Sequence, residues 1–394
     1  MKSFVPLLLS FAIGAGQASH AVAATSSHHA GARAATSGKT TAKSAKSRLA
    51  AKSSRSKAAK AAPAPVPARP AIDYDGEQVN FGEWQAVRDL EDDMAARYGF
   101  ERAGLDAVVA KLRFIDSAVQ LVKPAPPGKP KNWQAYRDRF IEPIRINAGV
   151  RFWNENADQL ARAEAQFGVP AEIIVGIIGV ETIYGRDTGR FRVMDVLATL
   201  AFAYPESPNR NDRMQFFRSE LEKTLLLARN ENIDPFSLLG SFAGAVGMSQ
   251  FMPSNILKYG VDYDGDGIVD LRNSAADAIG SVANFLVAHG WDRNASGPSV
   301  FPAEVAPSLA WQALLGGLEA RYTLGELQAA GVATRTVVPE QRNYGLIDLQ
   351  NGADPTEYWV ANANFFAITK YNRSYFYAMS VLELGRAVQQ ARAG

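Results

Sequence analysis

The chain has 394 residues, 47% of them hydrophobic, a formal net charge of +2 and no cysteine, which allows a sizeable core and excludes disulfides, thiol catalysis and a cysteine-linked lipid anchor. The near-neutral balance hides an asymmetry: 11 of the 42 Lys and Arg lie in residues 1–72, which contain no acid, leaving 31 bases against 40 acids in residues 73–394. A chain with an export signal and an acidic folded part is a poor candidate for nucleic-acid binding.

Residues 1–24 have the charged start (Lys2), the short apolar run from Phe4 to Gly16 and the small-residue end Ala21-Val22-Ala23-Ala24 of a secretory signal peptide. That run is too short for a stable transmembrane anchor, so the expected product is soluble and periplasmic. Residues 25–72 are rich in Ala, Lys, Ser and Pro, with ten bases, no acids and little to bury, and are expected to be disordered. Such a tail could hold the protein near an anionic envelope surface, and it would equally serve as a solubilising spacer. From residue 73 onward, apolar residues recur at helical spacing over 83–98, 104–122, 133–141, 144–167, 213–230 and 275–289.

Glu181 lies in the most apolar helical stretch of the chain, Ile173-Ile174-Val175-Gly176-Ile177-Ile178-Gly179-Val180-Glu181-Thr182. At helical spacing it shares a face with Ile174, Ile177 and Ile178, so its carboxyl projects from an oily wall that should raise its pKa toward the range of a proton donor at neutral pH. A buried Glu paired with an arginine fits the same pattern. Pro170 and Gly185 bracket a helix of roughly four turns that sets Glu181 close to a loop. Gly176 and Gly179 each cost about 1 kcal/mol inside a helix, which makes sense if another backbone packs closely there. Asp187 and Asp195 are the nearest further acids: the first reads as a solvated loop residue and the second as the N-cap of a helix over 196–202. The only histidine beyond residue 72 is His289, at a helix end where capping accounts for it, so a serine triad is disfavoured.

Asp262-Tyr263-Asp264-Gly265-Asp266-Gly267-Ile268-Val269-Asp270 places oxygens at positions 1, 3, 5 and 9 and glycine at 6 of an EF-hand-like loop, with the Ile268 carbonyl at 7. Position 12 is Asn273, so the usual bidentate Glu is missing. Between about 296 and 347, short Pro/Gly-bounded segments with β-branched residues suggest a small mixed subdomain.

Several of these segments together, from Gly168-Val169-Pro170 through Gly179-Val180-Glu181-Thr182-Ile183-Tyr184-Gly185, then Asp195-Val196-Leu197-Ala198-Thr199-Leu200, Tyr204-Pro205, Gly244-Ala245-Val246-Gly247-Met248-Ser249-Gln250-Phe251-Met252-Pro253-Ser254 and Ile368-Thr369-Lys370-Tyr371-Asn372-Arg373-Ser374, resemble the membrane-bound lytic murein transglycosylase B family, glycoside hydrolase family 103. The resemblance implies a mainly α (α+β) fold: a lysozyme-like core with a helical subdomain and a small β-containing one, filling residues 73–394. It also implies cleavage of peptidoglycan glycan strands between N-acetylmuramic acid and N-acetylglucosamine without water, Glu181 acting as acid and then as base to give 1,6-anhydromuramoyl ends. Ser241, Gln250, Tyr136, Tyr371, Asn372 and Tyr377 match positions implied to line the glycan site. A structural Ca2+ is implied at Asp262, Asp264, Asp266 and the Ile268 carbonyl, with Asp277 closing the loop over 262–277. Two departures stand out: Glu206-Ser207 follows Tyr204-Pro205 where a pair of arginines is expected, and Phe285 replaces an expected tyrosine. A hydrolytic muramidase and a non-catalytic calcium-dependent wall-binding protein are the competing classes.

Overall fold

The computed structural model describes residues 72–124, 130–295 and 297–394; the signal peptide expected at 1–24 and all but the last residue of the basic tail lie outside the described residues. The described residues open with β1 (Glu77–Gln78), α1 (Gln85–Tyr98), α2 (Arg102–Val109), β2 (Arg113–Phe114) and α3 (Asp116–Leu121), with β1 and β2 antiparallel. Periodicity over 104–122 suggests one helix, but the chain extends at Arg113 and Ile115, whose N–H groups donate to Asp195 Oδ1 and Thr199 Oγ1 at 3.0 Å each. Long-range hydrogen bonds thus override the local pattern.

Next come α4 (Trp133–Arg137), α5 (Pro143–Glu155), α6 (Ala157–Phe167) and α7 (Ala171–Thr182). The continuous helix expected over 144–167 breaks at Asn156, at φ −119° and ψ 28°, whose side-chain amide donates to the Phe152 carbonyl. Asn competes with the backbone for its own hydrogen bonds, which is why it ends helices. β3 (Phe191–Arg192), α8 (Val193–Ala203), α9 (Arg210–Asn230), β4 (Leu239–Gly240), α10 (Pro253–Tyr259) and α11 (Ala275–Ala288) follow.

The remaining elements are β5 (Val300–Val305), α12 (Leu324–Ala329), β6 (Val332–Thr334), β7 (Gly345–Asn351), β8 (Asp354–Ala361), α13 (Ala363–Ile368) and α14 (Tyr375–Ala393). Four strands form an antiparallel sheet in the order β6-β5-β8-β7, over its own apolar cluster of Phe301, Trp311, Leu327, Tyr344, Leu346 and Val360. Its two longest strands reach past residue 347, the end expected for the mixed segment, because β7 turns straight into β8.

Every residue of α7 except Glu172 is buried, so this helix is the centre of the main core. α14 lies against it with backbones in close approach: a Cβ on Gly176 would collide with the Val381 carbonyl, and one on Gly385 with the Glu172 carbonyl. Among the described residues no single helix is long and apolar enough to cross a membrane; α6 and α7 pass that test only as a pair bent by 117°.

Candidate active site

Glu181 stands one residue from the end of α7, which stops at Thr182 rather than running to Gly185. Pro170 is the N-cap, and the chain leaves the helix through three successive left-handed residues, Ile183, Tyr184 and Gly185 (φ 52°, 57° and 86°). For a β-branched residue such as Ile183 that conformation costs about 1–2 kcal/mol. Neighbouring bonds hold it: the Ile183 and Tyr184 N–H groups donate to the Gly179 and Ile178 carbonyls, and the Thr182 hydroxyl accepts from Gly185 N–H and donates to the Met248 carbonyl.

Glu181 as a residue is 7% exposed. Its Oε1 accepts a 2.6 Å hydrogen bond from the Tyr377 hydroxyl, and its buried Oε2 has no partner. Burial pushes the carboxyl from 4.5 up to about 7, opposed by the Tyr377 hydrogen bond and by the positive charge of Arg145. The arginine pairing that competes with a catalytic role is absent in its simple form, since Arg145 Nη1 donates to the Gly179 and Val180 carbonyls instead.

Three of the tyrosines matched to the glycan site gather around this carboxyl. Tyr377 sits in the first turn of α14, where Ser374 caps its N–H. Tyr371 lies parallel to it at 6.4 Å between ring centroids and donates to the Ser249 carbonyl. Tyr136, on α4, packs against Phe140, Trp133 and Phe376. Burial raises all three phenols, Tyr136 to about 12, and for each the Glu181 charge acts in the same direction. They are therefore neutral donors that hold their protons throughout the working range.

Gln250 is buried and left-handed at φ 50°, with its amide donating to the Gly247 and Thr188 carbonyls at 2.9 and 3.4 Å. It thereby ties the loop after α7 to the turn before α10. Ser241 Oγ accepts from the Ala245 and Ala243 N–H groups at 3.1 and 3.4 Å, so this hydroxyl is occupied by its own turn. Asn372 is half-buried beside Tyr371, with its carbonyl accepting from Ser374 N–H. Phe285, where tyrosine is expected, packs its ring 4.6 Å from Tyr371 and 3.9 Å from His289. His289 caps α11, its Nδ1 meeting the Phe285 carbonyl at 2.7 Å.

Neither further acid is placed as a partner of Glu181. Asp187 is exposed. Asp195 lies inside the first turn of α8 rather than at its N-cap, buried to 1% and engaged by Arg192 and the Arg113 N–H. Sequence reasoning missed Arg145, Thr182 and Ser249, whose hydroxyl is buried without a partner.

The acidic loop is folded around its own carboxylates. Asp262 accepts from the N–H groups of Gly265, Asp266 and Gly267, and the fully buried Asp277 accepts from those of Tyr263, Asp264 and Asp270. One oxygen from each of Asp262, Asp264 and Asp277 lies within 4.8 Å of the others, a hard-oxygen cluster that fits a divalent cation. Asp266 is turned to the Ile268 N–H and is not one of those three, while Asn273 spends its amide on Asp270. Desolvation raises Asp277, and the Asp264 charge adds to it.

Residues 82–386 match the transglycosylase SLT domain. The membrane-bound lytic murein transglycosylase B of Escherichia coli is 42% identical over 310 residues, 76% of this chain and 82% of that protein. The crystal structure of the soluble lytic transglycosylase SltB1 of Pseudomonas aeruginosa is 43% identical and superposes with a TM-score of 0.71, covering 78% of this chain and all of that one. The Escherichia coli lytic transglycosylase Slt35 in complex with calcium is 39% identical, with a TM-score of 0.71 over 81% of this chain and 97% of that one. The chain belongs to the lytic murein transglycosylase B family, enzymes that act on peptidoglycan.

Proposed function

We propose that this transglycosylase cuts the β-1,4 bond between N-acetylmuramic acid and N-acetylglucosamine without consuming water, with Glu181 as its single acid and base. The reading rests on one observation: a buried carboxyl pushed to about 7, held through Oε1 by Tyr377 and leaving Oε2 unpartnered. In the first step Glu181 gives its proton to the glycosidic oxygen as the bond to the muramoyl C1 breaks and its electron pair leaves with that oxygen. In the second step the C6 oxygen of the same muramoyl residue bonds to C1 and its proton passes to Glu181, so the ring closes as a 1,6-anhydro sugar and the acid is regenerated. Tyr136, Tyr371, Asn372, Tyr377, Ser241 and Gln250 are assigned to the glycan cleft. Aromatic faces suit sugar C–H surfaces, and Asn and Gln suit acetamido and hydroxyl groups.

Hydrolysis by a second carboxylate is the weaker reading, because Asp187 is exposed and Asp195 is consumed by Arg192. Digestion of purified sacculi in 18O-labelled water separates the two. Transglycosylation gives anhydro ends one water lighter and unlabelled, and hydrolysis gives labelled reducing ends. Glu181→Gln should abolish either product by at least about 10²-fold.

We also propose that Ca2+ occupies the loop, held by Asp262, Asp264 and Asp277 with Asp266 and the Ile268 carbonyl completing the set, and that its charge stabilises the fold. The site of action is assigned to the periplasm, with the basic segment over 25–72 drawing the enzyme toward anionic envelope surfaces.

A further inference from the structure

We propose that Arg145 is a positioning residue for the reaction: it clamps the C-terminal end of α7 and supplies there the positive charge that Glu181 needs while it is deprotonated between its two steps. The inference rests on the reading of Glu181 as acid and base. Three observations lead to it.

The first is that α7 ends with the wrong charge. A helix C-terminus carries partial negative charge and favours cations in its last turn. α7 has no base there and instead carries Glu181. The second is that the missing cation arrives from another helix. Arg145, in the first turn of α5, is 94% buried (6% exposed) and directs Nη1 at the carbonyls of Gly179 and Val180, the two residues before Glu181. Its guanidinium also lies over the Phe140 ring, 5.2 Å from the centroid. The third is that the placement is costly. Arg145 Nε is buried without a partner, and burial holds the guanidinium below its ordinary value, so packing alone does not account for a cation here.

Among the described residues, Arg145 is the one cation whose charge acts on Glu181. Tyr377 from α14, Tyr371 from the turn before it and Tyr136 from α4 are neutral, and of the described groups only Arg145, from α5, brings a positive charge. Arg145 in turn feels the charges of Glu142, Asp187 and Glu181 and the Tyr184 phenol. Because Arg145 shares the Gly179 carbonyl with the Ile183 N–H, which opens the strained exit, one side chain fixes the direction of the carboxyl and favours its ionised form.

The test is a carbon-13 NMR titration of the full-length enzyme labelled at glutamate carboxyls, with the Glu181 signal assigned by its absence in Glu181→Gln. Arg145→Met keeps the volume and removes the charge; Arg145→Lys keeps the charge. Arg145→Met is expected to raise the Glu181 midpoint by about one pH unit and to move the alkaline limb of the rate profile on soluble glycan fragments with it. It should also lower kcat roughly tenfold with KM little changed, as expected for a group that acts on the reaction rather than on binding. Arg145→Lys should restore the midpoint. An unchanged midpoint and kcat in Arg145→Met, with only a lower melting temperature, would reduce Arg145 to a structural cap and overturn the proposal. If Arg145→Met does not fold, Arg145→Gln takes its place as the uncharged variant: a raised midpoint supports the charge requirement, and an unchanged one refutes it. Activity remaining in Glu181→Gln would sink the acid reading itself while the midpoints stayed as measured, so the two failures are told apart.

Discussion

Burial of Glu181 makes the stability of the protein depend on pH in a direction that can be calculated. The folded chain raises this carboxyl from 4.5 to about 7. An unfolded chain ionises it near 4.5, so its contribution to stability is whole below about pH 4.5 and is lost as the pH rises through 7. The gap is about 2.5 pH units at about 1.4 kcal/mol each, so about 3 kcal/mol disappears between those limits. Glu181→Gln cannot ionise, and its amide oxygen still accepts from Tyr377. The variant should therefore gain on the wild type by about 3 kcal/mol between pH 4.5 and pH 8. For a chain of this size the melting temperatures should diverge by an amount on the order of 5 °C. Scanning calorimetry of both proteins across that range measures the divergence directly, with no substrate present. Parallel curves would mean that Glu181 titrates like an ordinary glutamate, and the argument for a proton donor poised at neutral pH would fail with it.

Three other perturbations bear on separate parts of the structure. Tyr377→Phe removes the 2.6 Å donor to Glu181 Oε1. A hydrogen bond to a charged group contributes about 1.5–3 kcal/mol, so the alkaline limb of the pH–rate profile should rise by about one pH unit or more, and an unmoved limb would count against the contact. Gly176→Ala drives a methyl group into the Val381 carbonyl, a backbone atom that cannot step aside, and should destabilise by about 1–3 kcal/mol in urea unfolding. Gly104→Ala in α2 meets nothing within 4 Å and should stabilise by up to about 1 kcal/mol; equal effects at the two glycines would refute the close α7–α14 contact. Chelation should lower the melting temperature of the wild type but not of Asp264→Ala, since only a cation bound by the folded state stabilises it; identical melting in calcium and in chelator would leave the loop as an acidic turn.

What the sequence made legible follows from the range of the interactions involved. Glu181 stood out because eight residues of apolar helix made one acid anomalous, and Gly176 and Gly179 stood out because their cost had to be repaid by a close neighbour. Both signals lie within α7. The break near residue 113 did not show, because the groups that draw the chain out of the helix at Arg113 and Ile115, Asp195 and Thr199, lie more than eighty residues away, whereas the break at Asn156 is local, made by an Asn side chain bonded to the carbonyl four residues before it. The sheet was cut short at 347 although Asn351-Gly352, a hairpin signal, announced its longest pair of strands; β8 begins exposed and is buried only at its far end, which blurs its alternation.

Arg145 shows the limit most plainly. In sequence it is one polar residue at the start of an amphipathic helix, and nothing nearby distinguishes it from Arg137 or Arg151. It becomes special only when α5 crosses the end of α7, where it meets two carbonyls rather than a carboxylate. A search for a salt bridge to Glu181 would have passed over it. The charge that tempers a buried acid can be supplied through the backbone of the acid's own helix, and motif comparison, which tracks residue types along one chain segment, has no access to that arrangement.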